Sequence, residues 1–257
     1  MGEIEDEILE QTKGVAVAAY KDLVRPSAKP LGEILSLFPR TIRLAFSGWE
    51  KWLINREESL RQAAAAIEEK VMKIPEEKVV EPEAYVAIPA IQQLSYCQNS
   101  DELRELYANL LVSSMNTDTK WQVHPSFVDV IKQLNPDEAK FLRSFPANAN
   151  LLVPLVDVEE NIGVNSWIFL MTNFTNYNLE LLEHPENICS YIDNLARLSL
   201  IEIYNRPITD EQRYKSLEEH PMILRFKSGI AQKIVRCVQK AFKLTNYGVN
   251  FVKVVCK

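Results

Sequence analysis

The chain has 257 residues, 47% of them hydrophobic and 25% charged, which is enough apolar mass for a core and excludes disorder as its main state. A net charge of −6 excludes a global attraction to nucleic acid or anionic lipid. Its seven glycines never fall closer than twelve positions apart, which excludes a Walker A loop, a dinucleotide-binding GxGxxG and a GxSxG nucleophile elbow.

In chain order, helical periodicity dominates from residue 48 onward. Leu53, Leu60, Ala64, Ile67, Val71 and Ile74 keep a seven-residue rhythm around the helix-forming run of alanines at 63–66, and Pro75 should end that helix. Residues 76–82 read as a connector. A second helix is expected over 83–97 despite Pro89. A third follows with Asn99 as cap, Glu102 in its first turn and one apolar face made by Leu103, Leu106, Tyr107, Leu110 and Leu111. A fourth starts after His124-Pro125 and buries Phe127, Val130, Ile131 and Leu134. The fifth has Asn135 as cap, Pro136 at the first helical position and Glu138 completing a capping box, with Phe141, Leu142 and Phe145 turned inward.

Beyond Pro146 the texture changes. Residues 151–158, rich in Leu and Val, suggest a short strand, and Ile188, Ile192, Leu195 and Leu198 mark a helix running into a strand at 200–204. The longest uncharged run, Asn161 to Leu179, carries too many polar groups to cross a membrane. Residues 134–205 hold ten acids and three bases, whereas 206–257 hold four acids and eleven bases. Attraction within one domain explains that split, and so does an exposed basic wing. The closing stretch, Leu244-Thr245-Asn246-Tyr247-Gly248-Val249-Asn250-Phe251, has a capping threonine and a glycine suited to close approach, with Phe251, Val252 and Val255 facing inward. Helix, strand, helix, strand and final helix in this order are similar to a winged helix-turn-helix domain. The expected fold class is mainly α with a small α+β part: an N-terminal helical region over 1–133 and a winged-helix-like domain over 134–257.

The residues offer few sites for chemistry. All three histidines precede proline and none has a second histidine within ten residues; only His184 has a cysteine that near, the lone Cys189, so a metal-ligand set is absent and they suit the starts of helices. Cys97, Cys189, Cys237 and Cys256 are scattered and read as buried thiols. Adjacent acids such as Glu57-Glu58, Glu68-Glu69 and Glu159-Glu160 read as solvated faces. No metal, cofactor or catalytic group is expected, and the N-terminus is acidic where a secretory signal would be basic.

Two candidate surfaces remain. The first is the aromatic and basic segment 31–54, with Phe38, Arg40, Arg43, Phe46, Trp49 and Trp52, whose composition suits either a membrane interface or a protein partner. The second is the basic set Arg206, Arg213, Lys215, Arg225, Lys227, Lys233, Arg236, Lys240 and Lys243, suited to phosphates or to a partner. The candidate recognition helix at 186–197 has two acids against one base, which disfavours DNA reading. A protein partner or self-association is the leading expectation. A membrane surface and nucleic acid are the alternatives. The expected location is cytoplasmic, with peripheral contact at the inner membrane as a variant.

Several stretches together carry a family resemblance: residues 19–23, Glu50-Lys51-Trp52-Leu53-Ile54-Asn55, Lys73-Ile74-Pro75-Glu76-Glu77-Lys78, the block 102–111, Val123-His124-Pro125-Ser126-Phe127-Val128, and 131–140. The sequence resembles the abortive-infection alpha family of bacterial proteins. The resemblance implies a role in defence against bacteriophage, adds a phage component to the alternative partners, and brings no catalytic residues with it.

Overall fold

The computed structural model describes residues 67, 69–94, 96–97, 100–146, 151–227 and 234–257, and the chain divides into two compact units, Met1–Gln133 and Leu134–Lys257. In the first unit a helix ends near residue 71, ahead of Pro75, and a single 3-10 turn covers Glu76–Lys78. Three helices follow: α1 (Ala84–Leu94), α2 (Asp101–Ser114) and α3 (Phe127–Lys132). Pro89 sits inside α1, at the cost of one backbone hydrogen bond. The N-cap of α2 is Ser100, whose side chain accepts from the Leu103 backbone N–H at 3.2 Å. The expected cap, Asn99, lies outside the described residues. Leu106, Leu110, Leu111, Met115, Phe127 and Ile131 are fully enclosed and form the core of this unit. Tyr107 is buried with them, and its hydroxyl donates to the Val128 carbonyl at 3.3 Å.

The second unit opens with α4 (Pro136–Arg143), whose capping box is complete: the Asn135 side chain accepts from Glu138 N–H, and Glu138 accepts from Asn135 N–H, both at 2.8 Å. The elements after it are β1 (Val153–Gly163), β2 (Ser166–Phe174), α5 (Ile188–Arg197), β3 (Ile201–Tyr204), α6 (Glu211–Glu218), α7 (Pro221–Lys227), β4 (Val235–Leu244) and α8 (Asn246–Val255). The four strands form one antiparallel sheet in the order β2-β1-β4-β3. On one face Phe242 packs with Phe141 and Phe145, and Tyr177 packs against both of those rings. On the opposite face Gln239 bonds Glu218 of α6 at 3.0 Å. Helices therefore cover both sides of the sheet, and the central strand β1 is buried from Val153 to Glu160.

These findings correct the expected fold class. Of the described residues 51% are helical and 20% are in strands, so an α+β protein replaces a mainly α one. The winged-helix-like reading fails on connectivity. A wing is a hairpin, but the paired strands β3 and β4 are separated by 30 residues that carry α6 and α7. The expected strand at 151–158 is instead the first arm of an 11-residue and 9-residue hairpin, β1–β2. What the closing motif does predict is α8. Thr245 caps it, accepting from Gly248 N–H at 2.9 Å, and a Cβ on Gly248 would stand 1.9 Å from the Leu200 carbonyl oxygen.

Candidate interaction surface

The basic candidates do not converge. Lys240 is largely buried, and its ammonium donates to both oxygens of Asp157 at 3.0 Å and to Asn173 Oδ1 at 2.5 Å. Asn173 holds this arrangement from a bulge in β2. At φ 55° it is in the left-handed region that asparagine tolerates, and its own N–H donates to Asp157 Oδ1 at 2.8 Å. Its amide also donates to Asp193 of α5 at 2.7 Å. Arg236 places Nε and Nη2 on Glu159 Oε2 at 2.8 and 2.7 Å and stacks 3.8 Å from the centre of the Trp167 ring.

The other candidates are equally local in their contacts. Lys243 lies over the Tyr204 ring, and hydrogen bonding to Tyr204 raises the pKa of its ammonium. Lys227 donates to the Glu218 carbonyl, Arg213 donates to the Leu152 carbonyl at 3.0 Å, and Arg225 stands over Phe226. Arg206 and Lys215 are exposed. Lys233 and the whole set Phe38, Arg40, Arg43, Phe46, Trp49 and Trp52 lie outside the described residues. The acidic and basic halves of the second unit thus meet each other across β1 and β4, as the pairs Asp157–Lys240 and Glu159–Arg236.

Other polar groups serve the fold. Asp137 accepts from Glu183 N–H at 2.9 Å, His184 N–H at 2.8 Å and the Tyr191 hydroxyl at 3.2 Å. Burial pushes its pKa up, but those three bonds and the Lys140 charge together hold it below the ordinary value. Burial raises the neighbouring Glu138, against the bonds from Asn135 and Asn194. In unit 1, Lys70 donates to Asn109 at 2.6 Å and to Glu105 at 3.3 Å, closing the polar part of the 102–111 block as a packing contact. The histidines act as turn-closers. His124 and His220 accept through Nδ1 from the N–H two residues on, at 3.2 and 3.3 Å. Burial pushes the Cys97 and Cys189 thiols up to about 11 and Cys256 to about 12, far from reactive thiolates. An open polar groove runs between Pro154, Asn176, Asn178, Asp210 and Arg213. Among the described residues no cluster of three His, Cys, Asp or Glu is placed to hold a metal ion, and no helix is long and apolar enough to cross a membrane.

The outstanding surface is one that the residue patterns did not point to. The β1–β2 hairpin turns through the two-residue loop Val164-Asn165, with Asn165 at φ 56°. Around it stand Val164 (94% exposed), Ile234 (64%), Phe169 (62%), Ile162 (59%) and Ile168 (43%). Five large apolar side chains at one end of a sheet mark this end for contact, since folded proteins usually keep such patches small. The strand that carries two of them, β2, is also the sheet's edge. Ile168 and Phe169 face Glu160 and Glu159 of β1 and so point to opposite sides of the sheet. A usable signal was present in the sequence: the uncharged run 161–179 contains Trp167-Ile168-Phe169, three residues that favour strands.

Fold and surface together describe a two-unit α+β protein whose C-terminal sheet presents an uncharged, apolar edge. The chain belongs to the abortive infection alpha family, whose model matches residues 55–255. That membership ties it to abortive-infection defence against bacteriophage. No protein of curated function and no solved structure matches it.

Proposed function

We propose that this protein serves in phage defence by binding a protein partner and not by catalysis, with the β1–β2 hairpin of the C-terminal unit as the binding surface. The observation that carries the reading is the exposed apolar group Ile162, Val164, Ile168, Phe169 and Ile234 at one end of the sheet, with Ile168 and Phe169 on its edge strand β2. Edge strands offer a row of backbone donors and acceptors, and apolar side chains beside them add the desolvation energy that holds a partner. Fully burying one such side chain contributes about 1.5–3 kcal/mol, so three or four supply the core of a specific interface. Cations drawn onto Asp157 and Glu159 favour this reading over phosphate contacts.

The test is phage challenge of bacteria expressing the chain. The unmodified chain should preserve cultures at low multiplicity of infection and let them collapse at high multiplicity. Phe169→Lys should lose the protection at low multiplicity. Tyr85→Lys, on α1 and equally exposed at 62%, should keep it. Protection by Phe169→Lys equal to that of the unmodified chain would remove the surface from the function.

A further inference from the structure

We infer that the partner of this surface is a second copy of the same chain, joined β2 to β2 about a two-fold axis into a continuous eight-stranded sheet; the inference rests on the binding role proposed above.

The two edges of the sheet differ in how they are finished. One edge is β3, four residues long and bearing Glu202, whose carboxylate accepts from the Tyr204 hydroxyl. A short, charged strand is how proteins ordinarily blunt an edge. The other edge is β2, nine residues long, with no Lys, Arg, Asp, Glu or Pro in Ser166–Phe174. Pairing β2 with its copy covers both long, uncharged edges at once and leaves only the two β3 edges outside.

Charge favours the copy over a charged strand. No charged residue occurs from Asn161 to Leu179, so antiparallel self-pairing brings no like charges opposite one another. Of the charges on the adjoining strands, Arg236 and Glu159 neutralise each other at 2.7 Å, and Glu160, opposite Ile168, is only 9% exposed. The strand edge itself carries no charge, so it complements its own copy and offers no counter-charge to an acidic or basic partner. Two bulges interrupt β2, between the partners of Val156 and Val158 and between those of Val158 and Glu159. The regular part is therefore Trp167–Phe169, and the two-fold passes through it. A C2 interface of this kind is the commonest closed assembly and stops at two copies.

The experiment is the mass of the full chain in solution, by sedimentation or light scattering at micromolar concentration. Unmodified protein should show twice its 29.5 kDa. Phe169→Lys and Phe169→Glu should each be monomeric with unchanged circular dichroism, because each sets like charges against each other across the axis. An equimolar mixture of the two should return to the dimer mass. A monomeric unmodified chain, a dimer that survives Phe169→Lys, or a mixture that stays monomeric overturns the inference. The binding role itself stands or falls separately. If the chain is monomeric yet Phe169→Lys still loses phage protection, the surface binds a different protein and only the two-fold pairing is wrong.

Discussion

Replacing Lys240 by methionine tests whether the C-terminal cations belong to the fold or to a nucleic acid. Lys240 and Asp157 are 11% and 9% exposed in their side chains, and the ammonium reaches both carboxylate oxygens at 3.0 Å. After the change Asp157 keeps the Asn173 N–H but faces a thioether in place of a cation. Breaking one side of a buried pair leaves an uncompensated charge and costs about 3–5 kcal/mol. With a urea dependence near 2 kcal/mol per M, the unfolding midpoint should fall by roughly 2 M. Lys215→Met, at an exposed position, should stay within about 0.5 kcal/mol of the unmodified chain. The double variant Asp157→Asn with Lys240→Met should recover part of the loss, because the stranded charge is gone. The assay is urea unfolding followed by circular dichroism. A midpoint for Lys240→Met that matches Lys215→Met would refute the reasoning and return Lys240 to the set of free surface cations.

Three further outcomes are expected. Gly248→Ala should destabilise the chain by about 1–3 kcal/mol, seen as a lower melting temperature, because its Cβ would overlap the Leu200 carbonyl and push α8 off the bond from Thr245 N–H to Leu200; an unchanged melt would show that the helix can slide. Asp137 has a folded pKa below its unfolded one, so its stabilisation is complete above the unfolded value near 3.9 and is lost as pH falls through the folded value. Asp137→Asn should therefore flatten the acid side of the stability curve, and an unaltered acid limb would count against its three hydrogen bonds. Cys97, Cys189 and Cys256, whose pKa values burial raises to about 11 or 12, should resist alkylation at pH 8 in the folded chain and react on unfolding, as measured by mass spectrometry.

Local chemistry was legible in the sequence, and long-range chemistry was not. Asn135, Pro136 and Glu138 start α4 through contacts three residues apart, so the motif alone announces the helix. Thr245 and Gly248 do the same for α8. Strand β4 was hidden because its cations resemble a solvated surface. Their partners, Glu159 and Asp157, stand 77 and 83 residues away. β2 was hidden for a different reason. Its bulges break the two-residue alternation by which strands are recognised, and its exposed apolar residues Ile168 and Phe169 lie on opposite sides. The winged-helix likeness came from a true final helix joined to a false wing, since nothing in residues 201–204 says that their pairing strand lies beyond two more helices. The same gap concealed the interaction surface: Val164, Ile168, Phe169 and Ile234 gather at one end of the sheet only once β1, β2 and β4 are aligned.

The most direct measurement joins the surface to the defence in living cells. Bacteria carrying Phe169→Lys alone, Phe169→Glu alone, or both variants together are challenged with phage at low multiplicity. Paired copies predict that neither variant protects by itself and that co-expression restores survival to the level of the unmodified chain. Full protection by either variant alone, or none from the two together, would contradict it.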